Sequence, residues 1–435
     1  MSAATARPRP ATPKVTAAPS LVLPARFLLL GALCFVALGL SAPWTLPLLL
    51  TNFYDPWLLA FVHANTLGAI GSVAIGAGYQ LTPVVLGTAI EGEGWGLASF
   101  PIWLGGVVLL PLGLATGWPW ALGSGGTLLL LAVAIWATTL WLTFRRSTRR
   151  DAIAWHLAVA PLGALGGATY GIILALNKGL GFLGERTLSN LGAHATIMLG
   201  GWIAVLIGGA ALELAGMFSV AKDAVRPRLA WAQLWLVAGG GWLLSTSIHM
   251  RLGRWVDLAG AVLLLAGVIG LAVQLGAVHR GRRRKALDVH APFAMLSAAS
   301  GVAAAALVVW GLLADLPAGS PLWLVAGWLA IAGFAETAIL GFGVKIASFL
   351  AWLQGHGTGK RTPGKPLPKL DELYDRRLTF VAFALWATAV PLVALATAFA
   401  WHSVMAVAVV PYAAGLLCWG WVVAGIVRHA RGFFA

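Results

Sequence analysis

The sequence predicts an all-α fold: a polytopic membrane bundle of about 12 transmembrane helices with a pseudo-threefold repeat. Hydrophobic residues make up 60% of the chain and charged residues only 10%. Apolar runs of about 20 residues follow one another, and each can cross a bilayer core of roughly 30 Å. These runs are predicted to be helical because lipid offers the backbone no hydrogen-bond partner. A soluble protein could not hide this much apolar surface.

The apolar runs divide the chain into a short tail and one membrane domain. Residues 1–25 are predicted to form a disordered cytoplasmic tail, and residues 26–430 the membrane domain. The predicted spans are 26–48, 57–84, 97–118, 120–144, 152–176, 189–218, 229–249, 255–278, 291–313, 321–352, 377–400 and 403–427. Residues 353–376 form a cytoplasmic loop within the domain, since their glycines and prolines disfavour regular structure.

One stretch recurs three times, in spans 57–84, 189–218 and 321–352. Aligning the copies brings nine residues into register: the glycines Gly76, Gly209 and Gly341, the glycines Gly68, Gly201 and Gly333, and the polar residues Gln80, Glu213 and Lys345. The second copy begins 133 residues after the first, and the third 132 residues after the second. Such even spacing indicates three similar structural units.

The distribution of positive charge predicts the orientation of the chain. The formal net charge is +15, yet 24 of the 29 lysines and arginines fall in the tails and in alternate loops. That alternation follows the positive-inside rule and argues against a nucleic-acid partner. Both termini are therefore predicted to face the cytoplasm. The lipid bilayer is the predicted partner of the helices. We expect a multi-pass protein of a bacterial cytoplasmic membrane.

Histidines near the outer ends of the spans are the first candidates for chemistry. His63 and His194 occupy similar depths in the first two repeat helices, whereas Thr196 and Trp328 stand at the positions that match His63. His249 lies at the outer end of the seventh span. Neutral imidazoles of this kind can bind haem iron or copper. The alternative is a pair of buried histidines that form hydrogen bonds between helices.

Ionisable residues inside spans are the second set of candidates, because they are costly in lipid and mark pairs or polar paths. Glu213 and Lys345 occupy equivalent repeat positions near the inner ends of their spans, and Gln80 is the third member. They predict a Glu213–Lys345 ion pair or a proton entry point. Glu336 lies in the middle of its span and predicts either a proton-shuttling site or an interhelical hydrogen bond.

Three motifs carry a resemblance to a known family. They are His63-Ala-Asn-Thr-Leu-Gly with Gly76-Ala-Gly-Tyr-Gln-Leu-Thr-Pro83, then His194-Ala-Thr-Ile-Met-Leu-Gly-Gly-Trp, and finally Lys345-Ile-Ala-Ser-Phe-Leu-Ala-Trp. With twelve spans and three repeats, the chain resembles subunit I of the haem–copper oxidase superfamily, most closely its short bacterial members.

The resemblance implies a haem-binding membrane subunit, with respiratory electron transfer or O2 and NO chemistry as its function. It implies haem held by His63 and His194, and copper as a second metal at His194 and His249. The expected partners are an electron-donor cytochrome or quinol and further membrane subunits. A complete haem–copper binuclear centre is not expected, because the superfamily's adjacent histidines on span 7 and its two histidines on span 10 have no counterparts here.

A second hypothesis keeps the fold without the redox centre. The chain would then be a non-enzymatic transporter or an assembly factor, and its intramembrane ionisable residues would serve transport. Whether the protein is an oxidoreductase stays open on the sequence alone.

Overall fold

The computed structural model describes residues 21–51, 54–284, 286–357 and 369–432, and in these residues it confirms a bundle of twelve long helices without strands. The helices are α1 (Val22–Thr45), α2 (Pro56–Leu86), α3 (Glu93–Thr116), α4 (Pro119–Arg146), α5 (Ala152–Leu180), α6 (Gly184–Phe218), α7 (Pro227–Met250), α8 (Arg254–Arg280), α9 (His290–Leu313), α10 (321–357), α11 (Arg376–Phe399) and α12 (His402–Gly432). Eleven of them are long and apolar enough to cross a membrane. The remaining helix, α7, has 24 residues but is less apolar, because Gln233 and a Ser-Thr-Ser run at 245–247 interrupt it.

The helix ends differ from the predicted spans by a few residues. Helix α1 begins at Val22 rather than at residue 26 and continues as a 3₁₀ turn over Leu46–Leu50. Within the predicted loop 353–376, helix α10 extends to Gly357 and a short turn forms at Leu370–Glu372. The predicted disorder of residues 1–20 and the loop segment 358–368 lie outside the described residues.

Helix packing repeats with the sequence. Helices α3 and α4, α7 and α8, and α11 and α12 form the three most extensive pairs. Helix α4 packs on α5, α8 on α9, and α12 on α1, so the twelve helices close into a ring of three four-helix units. The repeat helices α2, α6 and α10 are the most buried of the spans, which places them at the centre of the bundle.

The repeat glycines allow each central helix to approach the helix before it. A ring on that preceding helix faces each glycine: Phe27 faces Gly76, His156 faces Gly209 and Phe293 faces Gly341. A Cβ added at the three glycines would lie 2.9, 2.4 and 2.4 Å from the Cβ of the facing residue. Any larger residue would therefore push the helices apart. The glycine pattern therefore reflects close helix packing, because small residues let the backbones of membrane helices approach each other.

One end of the bundle carries most of the positive charge, and we call it the basic end. Arg149 and Lys222 both pair with Glu213 there, while Arg284 pairs with Asp371. Arg376 donates to the carbonyl of Leu287. The described parts of the loops that predicted the orientation therefore lie together in the folded chain.

Candidate cofactor site

A π-helical segment interrupts each central helix at the same repeat position. The segments are Ala64–Gly71 in α2, Ile197–Ala204 in α6 and Leu329–Glu336 in α10. Their first residues are separated by the same 133 and 132 positions as the repeat glycines. A π turn holds one extra residue, which rotates the side chains around it and leaves backbone groups to be satisfied otherwise. Such turns are frequent at functional sites.

Hydroxyl side chains stabilise two of these segments. Thr337 follows the α10 segment, donates to the carbonyl of Ala332 at 2.8 Å, and accepts a hydrogen bond from the Trp386 indole of α11 at 2.7 Å. In α2 the same arrangement uses Ser72 and the Trp103 indole of α3, at 2.9 Å. The equivalent residue of α6 is Val205, so the second repeat lacks this bond. Side-chain hydrogen bonds to neighbouring helices therefore stabilise the π turns of α2 and α10.

His63 and His194 meet where the α2 and α6 segments begin. Their ring centroids are 6.2 Å apart and their planes are within 15° of parallel. When two imidazoles bind one metal ion from opposite sides, the ligating nitrogen of each ring lies about 2.0–2.1 Å from the ion. The centres of the two rings are then roughly 6 Å apart. The structure brings these two predicted site residues together, and the separation of their rings suits a shared ligand.

Hydrogen bonds fix which nitrogen of each ring is available. Nδ1 of His63 lies 2.7 Å from the carbonyl oxygen of Leu59, and Nδ1 of His194 lies 2.9 Å from the carbonyl oxygen of Gly167 on α5. A carbonyl oxygen only accepts, so each Nδ1 carries the hydrogen and each neutral ring keeps its lone pair on Nε2. Histidines that bind metals are usually held in this way, with the second nitrogen donating to a carbonyl.

A cavity opens beside the two rings, between α2, α3, α4, α5 and α6. Its volume is about 190 Å³. Leucine, isoleucine and tryptophan side chains provide most of the wall, among them Leu110, Leu129, Ile172 and Trp202. Lys178 lies at the mouth, with its ammonium 5.3 Å above the ring of Tyr54. The cavity is therefore apolar at depth and positively charged at its entrance.

These residues fit a haem. Two Nε2 atoms supply the nitrogen ligands that haem iron takes in proteins, the apolar wall suits a flat hydrophobic ring, and Lys178 suits acidic groups at the mouth. Copper has less support. No three histidine, cysteine or carboxylate side chains converge within the described parts of the chain. His249 hydrogen-bonds to Asn190 at 2.8 Å and packs on Tyr170, so copper at His194 and His249 stays a prediction.

The predicted Glu213–Lys345 ion pair is wrong. Glu213 pairs with Arg149 and Lys222 from the loops next to its own helix end. Lys345 is fully buried and lies 3.1 Å from Asp288 and 2.8 Å from Asp371. Residues at equivalent repeat positions find separate partners because loop charges reach each of them over a shorter distance. A proton entry point at these residues stays a prediction.

Gln80, the third member of that set, does not join either ion pair. It is buried, and in the described part of the chain neither of its amide atoms has a hydrogen-bond partner.

Sequence reasoning missed Asp288 and Asp371, although acidic residues are scarce and both stand next to a span. Burial acts to raise the pKa of each carboxyl. For Asp288, the His290 ring and the Lys345 ammonium outweigh burial and hold its pKa below the usual value. For Asp371, the Lys345 ammonium does the same. Both aspartates are therefore ionised counter-ions for a buried lysine.

Glu336 has the partner that sequence analysis left open. Nδ2 of Asn65 donates to Oε1 of Glu336 at 2.5 Å, across 271 residues of sequence. The interhelical hydrogen bond is therefore present, and it joins the π-helical segments of α2 and α10. Asn65 could have been singled out from its position, two residues after His63 on a helix predicted to be central.

Neither a protein-family model nor a curated protein matches this chain.

Proposed function

We propose that this chain is a haem-binding integral membrane protein that transfers electrons, with His63 and His194 as the haem ligands. One observation carries the proposal: two imidazoles with their Nε2 lone pairs free stand 6.2 Å apart beside an apolar cavity. Haem supplies one-electron chemistry at its iron when it is bound. If His63 and His194 both bound the iron of one haem, these residues would favour electron transfer over O2 or NO chemistry.

The remaining residues have supporting roles. The carbonyls of Leu59 and Gly167 hold the two rings in the ligating tautomer. The apolar wall would surround the ring of a bound haem, and Lys178 would pair with the acidic groups of that haem. The resemblance to subunit I of the haem–copper oxidase superfamily supports a respiratory role, with a cytochrome or quinol as electron donor and further membrane subunits as partners. We propose that both termini face the cytoplasm of a bacterium, because the basic end holds most of the positive charge.

Visible absorption spectra test the proposal. The purified protein from haem-replete cells should show a haem spectrum that changes on reduction, and His63→Ala and His194→Ala should each abolish or strongly alter it. His402→Ala is the control: His402 is exposed at the start of α12 and its replacement should keep the spectrum. A folded but colourless wild-type protein would refute haem binding and leave a transporter or assembly factor as the function.

A further inference from the structure

The pair of Glu336 and Asn65 contains acceptors that cannot satisfy one another. Glu336 is 0% exposed and Asn65 2% exposed, yet Oε2 of Glu336 and Oδ1 of Asn65 lack hydrogen-bond partners in the described residues. The hydroxyl of Tyr412 on α12 is also fully buried and lacks a hydrogen-bond partner in the described residues. Buried polar atoms without partners cost free energy, so this group of three helices calls for an explanation.

A bound proton supplies that explanation. An ionised carboxylate and the amide oxygen only accept hydrogen bonds, so neither can pair with the other. A proton on Oε2 turns that oxygen into a donor. It also removes the charge, and no cation pairs with Glu336 among the described side chains. An isolated carboxylate inside a membrane protein is strongly disfavoured, whereas a neutral acid bonded to an amide is stable.

We propose that Glu336 and Asn65 form a proton-binding site that joins the π-helical segments of α2 and α10 at the centre of the bundle. The protonated Oε2 of Glu336 donates to Oδ1 of Asn65, while Nδ2 of Asn65 donates to Oε1 of Glu336, so one proton satisfies both unpaired oxygens. This site does not depend on the proposed function.

The charged side chains of the neighbouring elements pair elsewhere. Among the described side chains, Glu336 hydrogen-bonds to Asn65 and forms no ion pair. Lys345, on the same helix, pairs with Asp288 and Asp371, and Arg376 of α11 donates to the carbonyl of Leu287 at the basic end. In the described part of the chain, no cation therefore takes the place of the proton.

Labelling with a hydrophobic carbodiimide tests the proton site without any cofactor. The reagent adds to a protonated carboxyl, and mass spectrometry locates the adduct in the full-length protein in lipid. We expect labelling of Glu336 that falls as the pH rises, and none at the control residue Glu213, which forms ion pairs with Arg149 and Lys222. Infrared spectra should show the carbonyl band of a protonated acid that Glu336→Gln removes and Glu213→Gln keeps.

A missing label together with a missing infrared band would overturn the proton site. Labelling of wild-type Glu336 that falls with added sodium and does not change with pH would also overturn the proton site, in favour of a site for a metal cation. A colourless protein that still labels at Glu336 separates failure of the proposed function from failure of the proton site.

Discussion

Replacing Lys345 with methionine should lower the free energy of unfolding by about 3–5 kcal/mol at neutral pH. The Lys345 side chain is 0% exposed, and its ammonium lies 3.1 Å from Asp288 and 2.8 Å from Asp371. Methionine keeps the length of the side chain and removes the charge. The loss arises mainly at Asp288, which is 9% exposed against 50% for Asp371. A half-exposed pair contributes only about 0–1 kcal/mol, because water and salt screen it.

The pH dependence of this loss follows from Asp288. Burial acts to raise its pKa, but the His290 ring and the Lys345 ammonium lower it further than burial raises it. A carboxyl with a depressed pKa stabilises the fold above the ordinary value near 4, and the contribution is lost as the pH falls through the folded-state pKa. The difference between wild type and Lys345→Met should therefore shrink in acid.

Unfolding in mixed micelles, followed by tryptophan fluorescence, measures these energies. Lys222→Met is the control for charge, because Lys222 is 60% exposed and Glu213 keeps Arg149 as a partner. Lys222→Met should lower the free energy of unfolding by about 1 kcal/mol or less. Adding Asp288→Asn to Lys345→Met should recover much of the loss, since it removes the unpaired charge. A Lys345→Met protein within about 1 kcal/mol of wild type at pH 7 would refute this account.

Two further predictions concern packing and orientation. Gly163→Ala places a Cβ 2.2 Å from the carbonyl oxygen of Gly201 on α6, and overpacking of this kind costs about 1–3 kcal/mol; Gly239→Ala, with no atom within 4 Å of the new Cβ, should cost nothing measurable in the same unfolding assay. A cysteine at Arg150 should react with a membrane-impermeant thiol reagent only after the cells are opened, and reaction in intact cells would reverse the proposed orientation.

The repeat shows how far sequence reasoning reached. Even spacing of Gly76, Gly209 and Gly341 predicted three equivalent helices, and the structure places them at the bundle centre. It also brings His63 and His194 together, as their depth suggested. The π-helical segments at the same register were not predictable, because an apolar, glycine-rich run has the same composition in an α turn and in a π turn. Their presence depends on contacts such as the Trp386–Thr337 hydrogen bond between helices.

The ionisable residues show where prediction from the sequence failed. Repeat symmetry suggested that Glu213 would meet Lys345, but each found loop charges nearby. The partner of Glu336 is 271 residues away in sequence, on a helix that no local pattern connects to it.

The sequence by itself determined that this chain is a bundle of membrane helices in three repeats, because hydropathy and glycine spacing are properties of consecutive residues and lipid permits few backbone arrangements. Only the tertiary structure decided which other polar groups meet: Asn65 with Glu336, and Lys345 with two aspartates. The physical reason is that the stability of a buried polar or charged group depends on distances of a few ångströms between residues far apart in the chain.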